Sequence, residues 1–126
     1  MTWLDTLGGI TASALEAMTP LLLAATGGLF TELAGMLNIA LEGLMLAGAF
    51  FGFAAAAVSG SLLLGILAGA LASSLIAWIY GSATLRLKAN VFITGLAANI
   101  FAPSVTAVLS AAWFGTRSVV ALAVPE

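Results

Sequence analysis

Apolar residues come in long runs along this chain, and polar ones gather in the short intervals between them. Leu62 to Tyr80 and Val91 to Phe114 are two such runs, each near the roughly 20 residues that a membrane-crossing helix needs. Trp78 and Tyr80 close the first, and Trp113 and Phe114 close the second, as aromatic side chains do at the level of lipid headgroups. Ile39 to Val58 is a third run of crossing length, followed by the turn residues Ser59, Gly60 and Ser61. Gly81 and Ser82 are expected to end the helix that begins at Leu62, and Pro103 to kink the helix that contains it.

The N-terminal part is less regular. Residues 2 to 18 mix Trp3, Leu4, Leu7, Ile10, Leu15 and Met18 with Asp5, Glu16 and small polar residues. That spacing predicts an amphipathic helix at the interface, anchored by Trp3. Thr19-Pro20 marks a fresh helix start, because proline suits the first helical position. The apolar stretch from Leu21 to Phe30 covers only about 15 Å at the helical rise, half of a hydrocarbon core about 30 Å thick. Residues 20 to 58 are therefore either one crossing with a break or two crossings joined by a tight loop. The shortness of the first piece favours the broken crossing. The expected fold is all-α, a polytopic integral membrane protein with three or four transmembrane helices, one of them broken.

The expected break coincides with the chain's most polar interval. Glu32, Asn38 and Glu42 lie there, among Gly27, Gly28, Gly35 and Gly43. A charge in apolar surroundings is costly and faces a partner, a cavity or a pathway, and transporters place such groups at interrupted helices. Asn38 and Glu42 are four apart, the spacing of one helix face. Thr94 and Asn99 are further polar positions inside an apolar run. Two readings stand for these five residues. They line a substrate route, or they support the backbone by capping half-helix ends, neutralising a helix N-terminus or hydrogen-bonding a neighbouring helix. Gly48 with Gly52, and Gly65 with Gly69, repeat at four-residue spacing. That pattern lets helix backbones approach closely, within one fold rather than as a dedicated dimer motif.

Composition makes the bilayer the solvent. Of 126 residues 63% are hydrophobic and 6% charged, with a mean hydropathy of +1.23, against roughly 25% charged in a soluble domain. Three bases offer no patch for nucleic acid. The chain has neither cysteine nor histidine, which removes thiolate metal sites and the commonest general base. No nucleophile motif accompanies the carboxylates, so no catalytic or metal-binding residue is assigned and no enzyme is expected. Gly27-Gly28 is not a phosphate-binding loop, because no lysine follows it. The first base is Arg86, so the N-terminus lacks the basic segment of a signal peptide and is expected to be retained. Arg86 and Lys88 place the loop over residues 83 to 90 in the cytoplasm by the positive-inside rule. Residues beyond Phe114, with Arg117, are then expected outside. The N-terminus is cytoplasmic if residues 20 to 58 form one broken crossing and external if they form two.

One further pattern extends over most of the chain, from about Leu15 to Gly115. Thr19-Pro20-Leu21-Leu22-Leu23-Ala24-Ala25, then Gly27-Gly28-Leu29-Phe30-Thr31-Glu32-Leu33-Ala34-Gly35, Asn38-Ile39-Ala40-Leu41-Glu42-Gly43 and Gly48-Ala49-Phe50 resemble the permeases of bacterial ABC importers for nucleosides and simple sugars. Those belong with the ribose and branched-chain amino acid permeases. The stretch from Arg86 through Asn90, Thr94 and Gly95 to Asn99 fits the same pattern. The resemblance implies that residues 1–126 are the N-terminal portion of a permease transmembrane domain. Family members are about twice as long or more, and the cytoplasmic segment that docks on the ATPase lies in their later half, with no counterpart here. It further implies a multi-pass protein of the bacterial inner membrane that binds no cofactor itself, since ATP is bound by separate ATPase subunits. A second permease subunit, an extracytoplasmic substrate-binding protein and membrane lipid complete its partners. Glu32, Asn38, Glu42, Thr94 and Asn99 are the candidates for the polar lining or its backbone support. The alternative function is a small membrane structural or assembly protein that oligomerises through its glycine-rich helix faces.

Overall fold

The computed structural model describes residues 3–115. The expected external tail with Arg117 lies outside the described residues. All the regular structure among the described residues is helical: α1 (Trp3–Leu33), α2 (Leu41–Ser59), α3 (Leu62–Leu85) and α4 (Val91–Phe114). Each is long and apolar enough to cross a membrane. The chain divides into two compact units, Met1–Leu37 and Asn38–Glu126.

The first unit is α1. It is one helix of 31 residues and passes straight through Thr19-Pro20, where the sequence predicts a new start. Pro20 brings no N–H to the carbonyl four residues back, but such a loss is tolerated in apolar helices where hydroxyls and local adjustments re-satisfy the backbone. Thr19 Oγ1 donates to the Leu15 carbonyl at 3.0 Å, one residue from the gap. The interfacial helix and the short half-crossing expected from the sequence are thus one continuous element. It ends where Gly35 takes φ +84°. The Gly35 N–H donates to the Glu32 carbonyl and the Met36 N–H to the Thr31 carbonyl, both at 2.9 Å. Those two bonds are the Schellman ending, which asks for a left-handed residue that glycine provides without a Cβ clash. The chain is helical again only from Leu41, so α1 and α2 are separate helices, each of crossing length, in place of the one broken crossing that the sequence favoured.

The second unit packs α2, α3 and α4 together, with α2 touching both others. Gly60, at φ +64°, and Ser61 make the two-residue connection from α2 to α3. So short a link makes the two helices antiparallel neighbours. Their contact is the glycine stripe. A Cβ on Gly65 would stand 2.8 Å from the Gly52 carbonyl, and one on Gly69 2.6 Å from the Gly48 carbonyl. Each distance is shorter than any side chain accepts, so both pairs are used inside the fold, as their spacing predicts.

α3 continues five residues past Tyr80, so Gly81-Ser82 does not end it. The Ser82 hydroxyl donates back to the Trp78 carbonyl and Thr84 Oγ1 to the Tyr80 carbonyl at 2.9 Å. Turned inward like this, the hydroxyls stay within the helix instead of diverting the backbone to a turn. Arg86 to Asn90 form the connection to α4, with Lys88 in the left-handed region at φ +53°. Asn90 opens α4 by accepting from the Phe92 and Ile93 N–H groups. α4 occupies the predicted interval Val91–Phe114 and remains helical through Pro103. It runs in the same direction as α2: Gly95 lies against Ile39, and further along Phe50 stacks on Trp113 with ring centroids 6.1 Å apart.

Candidate functional site

The site is the first turn of α2 and what holds it. A helix N-terminus leaves N–H groups without intrahelical partners, and a serine, threonine, aspartate or asparagine usually meets one of them. Here the N-cap is Ala40, which makes no side-chain bond to the turn. Asn99 of α4 supplies what Ala40 lacks. Its Oδ1 accepts from the Gly43 N–H at 2.8 Å, and its Nδ2 donates to the Ile39 carbonyl at 2.7 Å. Gly43 permits this approach, since a Cβ there would stand 2.8 Å from the Ala98 carbonyl. From the other side, Ser73 of α3 donates its hydroxyl to the Leu44 carbonyl at 3.1 Å. Pro103, four residues after Asn99, brings no N–H to the Asn99 carbonyl, so the helix ladder is one donor short at the residue that makes the clamp.

The candidates from the sequence fall into different settings. Asn99 bridges α4 to the start of α2. Asn38 lies before α2, so it and Glu42 do not share a helix face: the backbone at Asn38 is not helical and four-residue spacing has no meaning there. Its side chain is half-buried, and Oδ1 is buried without a hydrogen-bond partner. Glu42 is exposed in the first turn of α2, where the helix dipole favours a negative charge. Thr94 donates to the Asn90 carbonyl of its own helix at 2.9 Å. It also borders an apolar groove between α3 and α4 of about 350 Å³, with Ile76, Tyr80 and Phe101. Glu32 belongs to the first unit. Its side chain is exposed in the last turn of α1, the negative end of that helix, so it is no counter-charge to its own N-terminus.

The family model of the branched-chain amino acid transport system, permease component, matches residues 10–124. The chain belongs to that permease family. It is 37% identical over 110 residues to the nucleoside ABC transporter permease protein NupC of Lactococcus lactis, covering 82% of this chain and 35% of that protein. A Haloferax volcanii protein named for glucose ABC transporter permease function, TsgC13, is 34% identical over 105 residues, covering 83% of this chain and 32% of that protein. The guanosine ABC transporter permease protein NupQ of Bacillus subtilis is 39% identical over 107 residues, covering 77% and 32%. The chain thus spans about a third of the length of the curated relatives it matches. No solved structure matches it significantly.

Family and helices together make this permease segment part of a multi-pass protein of the cell membrane. The family is one of transport components rather than of catalysts. Two contributors to the site escaped the sequence. Ser73 sits beside Ser74 in the middle of an apolar run, and that adjacent polar pair is the signal that could have drawn attention to it. Ala40 gives no signal, because what matters is the cap it fails to provide.

Proposed function

We propose that this segment forms part of the transmembrane pathway of an ABC importer permease for a nucleoside or a simple sugar. The observation that carries the reading is the similarity, over about four fifths of the chain, to permeases named for nucleoside, guanosine and glucose transport. Nucleosides and sugars share several hydroxyl groups, which need hydrogen-bond acceptors along their route. The exposed Glu42 carboxylate and the unpartnered Asn38 Oδ1 are acceptors suited to that task. Asn99 supports them from α4, and Thr94 and Glu32 are assigned to the route or its support. The relatives are named as ABC transporter permeases, and in this reading the energy comes from ATP bound by separate ATPase subunits. A second permease subunit and an extracytoplasmic binding protein complete the importer. The loop with Arg86 and Lys88 faces the cytoplasm. Assembly through glycine faces is the weaker reading, because Gly48, Gly52, Gly65 and Gly69 are occupied in packing α2 on α3.

The test is to complete the chain with the remaining two thirds of the nucleoside permease from Lactococcus lactis, together with its ATPase and binding protein. Uptake of labelled nucleosides or glucose is expected from the completed permease and not from the chain alone in liposomes. Saturable uptake by the chain alone, or none by an abundant completed permease with any of these substrates, contradicts the reading.

A further inference from the structure

Three side-chain hydrogen bonds from two other helices fall on the six residues from Ile39 to Leu44. Asn99 holds Ile39 and Gly43 from α4, and Ser73 holds Leu44 from α3. Glu42 lies inside this interval, next to one anchored residue and two before another. Its side chain is exposed and makes none of these bonds, so its direction is set by the backbone that carries it. That backbone is poorly fixed from within. Ala40 gives no side-chain cap, the residues before it are not helical, and the first intrahelical bond of the turn is Leu44 N–H to the Ala40 carbonyl at 3.0 Å. The Gly43 N–H is therefore one of the donors that the helix itself leaves open.

From this geometry we infer that Asn99 and Ser73 are positioning residues for Glu42: they pin the first turn of α2 to α4 and α3 and so aim its carboxylate. The functional weight of this inference rests on the proposed place of Glu42 in the transport route. Both anchors belong to helices other than α2, so a shift of α3 or α4 against α2 is passed to the carboxylate without a contact to it. The Asn99 amide suits the task because it donates and accepts at once, bridging a carbonyl before the helix and an N–H inside it. Serine suits the other side because its hydroxyl adds a donor to a carbonyl already in the helix ladder.

Two readouts test this on the chain in lipid nanodiscs. The first is amide hydrogen exchange at Gly43, which is slow in the wild type if Asn99 meets it. An interhelical bond in a membrane protein changes such an opening equilibrium about threefold, so Asn99→Ala, which loses two, speeds exchange by roughly eightfold. Ser73→Ala speeds exchange in the same turn by about threefold. Asn99→Asp sets a carboxylate oxygen against the Ile39 carbonyl that Nδ2 bonds in the wild type, so it also speeds exchange and stands in if the alanine variant does not fold. The second readout is direction. The chain has no cysteine, so Glu42→Cys is labelled without background, and its labelling rate is expected to change on adding Asn99→Ala or Ser73→Ala. Ser104→Ala serves as control, because the Ser104 hydroxyl donates within α4, to the Ile100 carbonyl. In the completed permease, Asn99→Ala is expected to raise KM for the nucleoside more than it lowers kcat. Unchanged exchange and labelling in folded Asn99 and Ser73 variants overturn the positioning role. Altered labelling beside wild-type uptake in Glu42→Leu upholds the positioning and removes Glu42 from the route, which separates the two failures.

Discussion

The amide of Asn99 does at the start of α2 what an N-cap side chain does elsewhere, but it does so from 56 residues away. That Asn99 is polar inside an apolar run is plain from the sequence. Its partners are not, because nothing local pairs residue 99 with residues 39 and 43. Asn38 shows the converse. Four-residue spacing suggests a shared face with Glu42, yet that spacing has meaning only inside a helix, and α2 begins after Ala40. What Asn38 has instead is a buried Oδ1 without a partner, a loss of about 1–3 kcal/mol where no donor arrives. In the chain alone, Asn38→Leu is therefore expected to raise the thermal unfolding temperature in nanodiscs. In the completed permease the same change is expected to slow uptake, as a route that needs this acceptor requires. A lower unfolding temperature would mean that the side chain has a stabilising partner in the membrane.

Among the elements, α4 was legible to the residue because an apolar run begins at Val91 and the aromatic pair Trp113 and Phe114 closes it. The glycine stripe of α2 and α3 was legible from its spacing. Two boundaries were not. Thr19-Pro20 reads as a start because proline lacks an N–H and suits the first turn, and Gly81-Ser82 reads as a stop because glycine is flexible and serine offers competing local hydrogen bonds. In apolar surroundings the hydroxyls of Thr19 and Ser82 turn back to carbonyls of their own helices, and the helices continue. The stripe gives a sharp expectation. Gly69→Val sets a Cβ 2.6 Å from the Gly48 carbonyl, and overpacking of that kind costs about 1–3 kcal/mol. Gly81→Ala meets nothing within 4 Å and is expected to be neutral or mildly stabilising, since alanine outranks glycine in a helix. Thermal unfolding of the two variants in one detergent compares them directly, and equal midpoints would show that α2 and α3 do not meet on their glycines.

For the whole molecule, the membrane-spanning, all-helical character was evident from composition and hydropathy, as was the family from its quoted motifs. The extent of α1 was not, so the choice between one broken crossing and two was made on a half-length that the continuous helix does not have. The proposed sidedness rests on charge. Leu87 is exposed beside Arg86 and Lys88, and Leu87→Cys in intact cells is expected to resist an impermeant thiol reagent until the membrane is opened. Labelling from outside would invert the topology. The central claim is that the first turn of α2 serves a transport route, and Glu42 tests it most directly. Glu42→Leu removes a charge that the helix dipole favours by only about 0.3–1 kcal/mol, so insertion and abundance should stay nearly normal. The decisive measurement is nucleoside or glucose uptake by the completed permease, compared between wild type and Glu42→Leu at equal membrane abundance. Uptake is expected to be lost in Glu42→Leu, with Glu42→Gln separating hydrogen bonding, if uptake is kept, from charge, if it is lost. Wild-type uptake in Glu42→Leu would contradict the claim.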